Sequence, residues 1–515
     1  NDVVLLNNDT LVTPGWLTAL VECAYSSKDI GIIGAKLIWP NGKLQEAGSE
    51  VFSDGSAQNI GRGSDPCLPK YNKVKEVDYC SGACLYIKRE LLNEVKGFDD
   101  RFVPCYYEDT DLAFEARKHG FKVVYEPRCE IIHLEGATST RNVKTGAKRY
   151  QLINQEKFVD KWKDVIKYHR KSYWEVPNRN GKEKILMVGP FIPNYDMTSG
   201  DFREFQLIKI FAKHFNLTYL ALSDHRSQKF TPELEKLGVT VFSPGNLPEH
   251  ISQLDLKRLL LHNNFKAVIF KTYKTAKDYI DFFRQHSPGA TIITDSYQLW
   301  YLQEERGADI LKKDKETVYQ DVKNKVIELS VYEKSDLVLT VTEEDKRALI
   351  SESPFLDVKV IPNIHPNKKI NPERGNRGGL LFIGGFSHFP NVDAMLYFCE
   401  KILPLVKIEV PDIKLFIVGS SPPPEIVALE SENIVVTGRV PSTEPWFNSC
   451  LISVVPLRYG SGMKGKVGEA LASGIPVVTT SMGAEGIGIV NGEHALIADT
   501  PEDFADAVVR LYKDK

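Results

Sequence analysis

No apolar run in this chain approaches the roughly 18 residues that span a bilayer, and no basic, apolar and small-residue series of the signal-peptide kind opens it. A cytoplasmic location is the expectation that follows by default. Cysteine is scarce, eight in 515 residues, and six of the eight fall between Cys23 and Cys129. The nearest pair, Cys80 and Cys84, has no second pair to complete a zinc site, so free, reduced thiols are expected. Charge of one sign is not in excess either: the net charge of −3 argues against a dedicated nucleic-acid binder. No repeat of solenoid period is visible. No GxGxxG follows ILMVGP, the first strand expected after residue 183, which leaves out the fingerprint of a dinucleotide oxidoreductase. Residue 1 is Asn, not Met, and stands against the apolar run VVLLNND, so the chain reads as a fragment whose gene is expected to continue upstream.

The residues that are present suit a folded protein. Hydrophobic residues make up 42% and charged residues 26%, a globular mixture too long for one core and sized for about three domains. From Lys184 onward, β-branched runs alternate with helical stretches: ILMVGP, NLTYLALS, KAVIFK, ATIITDS and LVLTVT, then LLFIGG, IKLFIVG, LISVVPL and IPVVTT. That alternation predicts parallel sheets with crossover helices. The Pro- and Asn-rich run VIPNIHPNKKINPERGNRGG separates the two series, predicting two Rossmann-like lobes with ligands at strand C-terminal ends. The first 140 residues lack strict alternation and form a separate domain. Between them, residues 141–184 hold thirteen Lys or Arg against five Asp or Glu. We expect a solvated connecting helix and linker there, with attachment to an anionic membrane surface as the alternative.

In the C-terminal series, LISVVPL reads as a buried strand, RYGSGMKGK as a Gly-rich turn, and KVGEALASG as a helix closed by Gly474. Glycines let backbone N–H groups approach a phosphate at the helix start. Lys464 and Lys466 add charge beside a diphosphate, and Glu469, three residues after Lys466, can accept from a ribose diol. An ordinary strand-turn-helix with charged residues at its start has the same pattern. The segment PLRYGSGMKGKVGEALASGIPVVTTSMGAEG resembles the donor-binding signature of glycosyltransferase family 4, of GT-B fold, and the likeness extends over roughly residues 183–515. FIGGFSHFPNVDAM, LFIVGS, VTGRVPS and PFIPNYDMTSGDFREF share in it. The resemblance implies a nucleotide-sugar site including Gly384, Gly385, Arg458, Gly462, Lys464, Lys466 and Glu469, with Gly200 and Arg203 facing the donor phosphates. It further implies retention of anomeric configuration and no metal. Ser461 stands where many members carry the first of two glutamates, leaving the sugar open. His225, His262, Asp295 and Glu304 are candidates for acid–base work only by being polar near expected strands or loops.

At the other end, DVVLLNND ends a strand in Asn7, Asn8 and Asp9, where oxygens can meet a divalent cation. Asx residues also end strands for turn reasons alone. YYEDTDLAFEARKHGF puts Glu108, Asp109 and Asp111 at a helix start, where acids are commonly caps and dipole partners. IIHLEGATS offers His133. In that order the three segments resemble glycosyltransferase family 2, of GT-A fold, over about residues 1–140. The resemblance implies Asp9 as metal-binding acid, Asp109 as general base within the acidic set Glu108, Asp109 and Asp111, and His133 as a further metal or phosphate contact, with inversion. It also implies that strands ahead of Asn1 would build most of the nucleotide-base pocket.

The expected architecture is α/β: an incomplete GT-A domain (1–140), a basic helix and linker (141–183), then a GT-B unit of two Rossmann-like lobes, an acceptor-side lobe (184–370) and a donor lobe (371–515) expected to lack the helix that returns to the first lobe. The expected function is a bifunctional glycosyltransferase of surface polysaccharide synthesis. It would use Mn or Mg in the first module and none in the second, a nucleotide-sugar donor, a glycan or lipid-linked acceptor and no nucleic acid. Peripheral contact with the inner face of the cell membrane could run through residues 141–184. The alternatives are a GT-B-fold sugar-nucleotide epimerase, or one active GT-B module beside a non-catalytic interaction domain.

Overall fold

The computed structural model describes residues 1–134, 149–176, 181–196, 198–223, 227–244, 253–365 and 377–514. His225, the basic residues 141–148 and the linker residues 366–376 lie outside the described residues. The chain divides into two compact units, Asn1–Lys184 with Thr218–Phe265, and Ile185–Leu217 with Lys266–Lys515.

The first unit is built on a mixed sheet in the order Val3–Leu6, Cys84–Ile87, Ile30–Ile38, Lys122–His133, Thr10–Val12. Two-residue periodicity sorts its side chains onto opposite faces. Ile33, Ala35, Leu37, Cys84, Tyr86 and Val124 pack with Leu20 and Ala24 of helix Trp16–Ser26. Ile32, Leu85, Ile87, Val123 and Tyr125 pack instead with Leu112, Ala113 and Ala116 of helix Glu108–Lys118. The antiparallel register of Thr10–Val12 sets Thr10 opposite His133. That pairing brings both ends of the domain's sequence together.

Helix Arg149–Ile166 corrects the expectation of a solvated connector. Asn154, Phe158, Trp162 and Ile166, four residues apart, are all buried. Its three apolar members enter a cluster with Val51, Phe102, Tyr107 and Phe114. Charge dominates the segment's composition, yet one stripe at helical period is enough to dock it. The following residues continue inward: Arg170 pairs with Glu50, and Trp174 stacks on Phe242 at 5.2 Å. Asn263 donates to the Trp174 carbonyl and accepts from the Val176 amide, tying these residues to the end of helix Gln253–His262 within the same unit.

The second unit holds the parallel sheets that the strand–helix alternation predicts. One runs Lys184–Gly189, Phe265–Lys271, Thr291–Asp295, Leu337–Thr340, Val358–Val360. The other runs Ile434–Gly438, Leu415–Val418, Leu380–Ile383, Ile452–Val455, Val477–Thr479, Leu496–Ile497, all parallel. Numbered along the chain, the second sheet has the order 3-2-1-4-5-6, so its direction of growth reverses between Leu380–Ile383 and Ile452–Val455. Near-continuous apolar strands and the helices around them, Phe389–Tyr397, Gly465–Ala472 and Pro501–Lys513 among these, bury one core. Gly474, at φ 66°, ends helix Gly465–Ala472, as expected from the sequence.

Among the described residues no helix is long and apolar enough to cross a membrane. All eight cysteines are free thiols.

Candidate functional site

In an open parallel sheet, the crevice at the reversal of strand order receives ligands, because the loops there diverge. Here the loop after Leu380–Ile383 supplies Gly384 and Gly385, and the loop after Ile452–Val455 supplies residues 456–464. Space is tight: a Cβ on Gly384 would lie 2.8 Å from the Asn391 amide nitrogen, and one on Gly465 2.7 Å from Ser199 Cβ. Asn391 joins the two loops. Its amide donates to the Gly385 carbonyl (2.6 Å) and its oxygen accepts from Lys466 Nζ (2.6 Å).

Burial and the Lys464 cation push Lys466 down to about 7. Burial with the same two cations brings His388, also at this reversal, down to about 4, so its imidazole is neutral. Lys464 is itself lowered by burial and shares Glu485 (3.2 Å) with Arg306, which grips both carboxylate oxygens at 2.8 Å and the Gly460 carbonyl at 2.7 Å. Despite burial, Arg306 and Lys464 hold Glu485 below the usual carboxylate range. The result is a cluster of cations with Glu485 bonded to Arg306 and Lys464 and Asp345 also acting on Lys464, and an added anion relieves the crowding at Lys466. Glu469, on the same helix as Lys466, accepts from Thr443 Oγ1 at 2.9 Å.

The other expected residues of this site fare differently. Arg458 is salt-bridged to Asp393 over the Tyr397 ring. Gly462, at φ 71°, donates its amide to Asp345, and a Cβ there would come 2.5 Å from the Tyr297 carbonyl. Gly200 packs its backbone on the Tyr297 ring. Arg203 is not brought to the phosphates: it is 1% exposed, with its guanidinium committed to Asp295 (2.6 Å) and the Ile361 carbonyl (3.0 Å). That bond also takes Asp295 out of contention as a free acid, and Glu304 is paired with Lys313. Ser461 donates to the Leu299 carbonyl. His262 ends a helix of the first unit.

In the first unit a cleft of about 1830 Å³ is lined by Asn7, Asp9, Gln45, Glu46, Glu108, Asp109 and His133, among others. The Thr10–His133 register and the Leu134 amide bonded to the Asp9 carbonyl bring Asp9 Oδ1 within 3.3 Å of His133 Nε2. His133 Nδ1 lies 3.1 Å from Gln45 Oε1. Nε2 and the Asp9 carboxylate thus stand side by side at the cleft wall, with Gln45 holding the ring through Nδ1. Such a pair fits a hard divalent cation, which takes one or two protein ligands and completes its shell with phosphate and water. Among the described residues no group of three or more His, Cys, Asp and Glu could hold a metal by itself.

Asp109 accepts from the amides of Gly82 (3.0 Å) and Thr110 (2.7 Å), yet burial raises its carboxyl above the usual range. Burial and Asp109 raise Glu108 to about 7. Glu46, which no motif marks, is 1% exposed and pushed up to about 8 by burial despite a bond from the Ser81 amide. Three acids thus crowd one wall. Asp111 is not among them: its carboxylate is taken by Lys161 and the Trp162 indole (2.7 Å each). A two-residue step on a helix turns a side chain by about 200°, so Asp109 and Asp111 lie on opposite faces. Glu46 is bonded to the Ser81 amide 35 residues on, a contact that no local pattern marks.

Comparison with known proteins accords with this geometry. A family model described as "Glycosyltransferase like family 2" matches residues 2–151, and one described as "Glycosyl transferases group 1" matches residues 377–514. The chain thus carries a glycosyltransferase family 2-like domain followed by a glycosyltransferase group 1 domain. An O-antigen biosynthesis protein of Myxococcus xanthus is 32% identical over 143 residues, 26% of this chain and 11% of that protein. The N-acetylglucosaminyl-diphospho-decaprenol L-rhamnosyltransferase of Mycobacterium tuberculosis is 27% identical over 151 residues, 27% of this chain and 49% of that protein. The chain thus spans less than half the length of either relative. The structure of sucrose-phosphate synthase from Thermosynechococcus elongatus, 13% identical, aligns with 65% of this chain and 90% of its own at a TM-score of 0.49.

Proposed function

We propose that the chain is a tandem glycosyltransferase of surface polysaccharide synthesis, each module moving a sugar from a nucleotide-sugar donor to a glycan or lipid-linked acceptor. The carrying observation is the cation-rich crevice of Lys464, Lys466 and Arg306 at the strand-order reversal. It suits a nucleoside diphosphate, the group that both binds and leaves in such a transfer. Helix N–H groups at Gly465 and the two lysines stabilise the departing diphosphate electrostatically. Gly384 and Gly385 admit it without side-chain obstruction, and Glu469 accepts from the ribose. The site supplies its own cations, so this module works without metal and, in our reading, with retention.

In the first module Asp109 takes the proton from the acceptor hydroxyl as that oxygen attacks, which accords with inversion. Its raised affinity for a proton suits a base acting near neutrality. Asp9 and His133 hold Mn or Mg, which when bound neutralises the donor diphosphate. The domain limits at 140, 183 and 370 belong to this reading. So does peripheral contact of residues 141–184 with the inner membrane face, supported by the exposed Lys163, Lys167 and Lys171 and by the lipid-linked substrate in the mycobacterial relative's name.

The test is sugar transfer from labelled donors with and without EDTA. The proposal expects one EDTA-sensitive and one EDTA-resistant activity, the resistant one lost in Lys466→Ala with Glu469→Ala. Full EDTA-resistant transfer by that variant would overturn the crevice assignment, and an epimerised donor formed without acceptor would favour the epimerase.

A further inference from the structure

The matched family 2-like region stops at residue 151, and most of helix Arg149–Ile166 lies beyond it. That helix does more than cover a face of its unit. The acids Glu108 and Asp109 enter the cleft directly after Tyr106 and Tyr107, both held at φ 71°, a conformation that side-chain-bearing residues adopt only when their surroundings impose it. Asn154 imposes it. Wholly buried, its amide nitrogen donates to three carbonyls of the turn, Phe102 (2.8 Å), Cys105 (2.9 Å) and Tyr106 (3.0 Å). Its own oxygen is buried without a hydrogen-bond partner, so the amide is directed at the turn at the expense of its own solvation.

One and two helical turns on, the same helix grips residues on either side of the acids. Phe158 packs on the Tyr107 ring at 5.3 Å and on Phe114 at 5.0 Å. Lys161 bonds Asp99 (2.9 Å), Asp111 (2.7 Å) and Glu115 (3.0 Å), and Trp162 donates to Asp111. At its other end Gln151 lines the cleft beside Cys105, Tyr106 and Glu108.

We propose that Asn154 is a positioning residue of the first module: it clamps the turn at residues 102–106 and so aims Glu108 and Asp109 into the cleft. The proposal rests on the reading of Asp109 as the base. Asp111, in the same scheme, is an anchor for the helix and not a participant in proton transfer.

The experiment compares Asn154→Leu with Phe158→Leu in the full chain. Asn154→Leu is expected to lower kcat of the EDTA-sensitive transfer about 10²-fold, the cost of a displaced reacting group. The donor KM should stay within about twofold, as a loss confined to the transition state requires. Amide hydrogen exchange through residues 103–110 should quicken. Phe158→Leu removes packing from the same helix and leaves the clamp in place, so it should lower Tm with kcat of the folded fraction held within about twofold. Equal kcat in the two variants at matched Tm, or unchanged exchange at 103–110 in Asn154→Leu, would overturn the clamp. Absence of EDTA-sensitive transfer in the parent, or its survival in Asp109→Asn, would instead overturn the reading of the cleft. The clamp is then decided by the exchange measurement alone.

Discussion

The Asp109 cleft gathers acids, whereas the loops around Gly384 and Lys466 gather cations, and the two sets of charges call for different ligands. Glu46, Glu108 and Asp109 crowd together in the first, with Asp9 and His133 side by side in the same cleft. In the second, Lys464 and Arg306 share the carboxylate of Glu485, and Lys466 beside them is bonded to the neutral amide of Asn391. Buried charges of one sign are unfavourable unless something of the other sign arrives. An acidic wall is therefore suited to a proton and a metal ion, a basic one to a diphosphate. Two routes to the same end, neutralising a leaving nucleotide, can arise from which charges a fold buries.

The strongest way to break this comparison is Asp109→Asn. It should lower the EDTA-sensitive transfer by about 10³-fold or more, within the range of a lost general base, and leave the EDTA-resistant transfer unchanged; equal loss of both would mean one shared site. Next in size, Phe158→Ala should cost the first unit about 3–5 kcal/mol by chemical denaturation, the usual cost of emptying a buried aromatic site. A negligible change would restore the solvated-connector view of helix Arg149–Ile166.

A smaller effect is expected at Lys466. Lys466→Ala should weaken nucleoside diphosphate binding about 10- to 100-fold, as for one charge-assisted hydrogen bond. With its proton lost near pH 7, parent affinity should fall as pH rises above 7, because only the protonated amine attracts the anion. Lys466→Arg should flatten that dependence in calorimetric titrations, since a guanidinium stays charged throughout. Smallest is the effect of Glu46. Burial raises its carboxyl from the ordinary 4.5 to about 8, so the folded state keeps a proton that the unfolded chain releases. Its contribution is present below pH 4.5 and is lost as pH rises to about 8. Glu46→Gln keeps the acceptor for the Ser81 amide and removes the titration. It should raise Tm at pH 8.5 and leave Tm at pH 4.5 nearly unchanged; the same shift at both pH values would show that Glu46 does not titrate as described.

Much of the second unit was legible along the chain. Nine apolar runs correspond to nine strands, eight of them in this unit and Asn216–Ala221 mostly in the first, and the Gly-rich turn, its helix and the closing Gly474 lie where local pattern put them. Lys464 and Lys466 were legible for the same reason, being part of one short segment. Arg306 and Asn391 were not, because they are joined to that segment across 154 and 75 residues of chain; Glu485 lies at the end of the signature segment, but its grip by Arg306 spans 179 residues. Arg203 and Asp111 were misplaced by the same limit: each sits in a motif, but its partner, Asp295 or Lys161, lies elsewhere and takes up its charge.

By itself the sequence determined where strands, turns and helix ends fall, since a period of two or of 3.6 residues and the positions of Gly and Pro act within a few residues of themselves. It determined too which side chains could carry charge. The tertiary structure alone decided which charges are free to meet a ligand. Burial, counter-ions and hydrogen-bond partners are set by chain segments far apart in sequence, and those determine whether an acid such as Asp109 holds a proton in a cleft or, like Asp111, is spent on holding a helix.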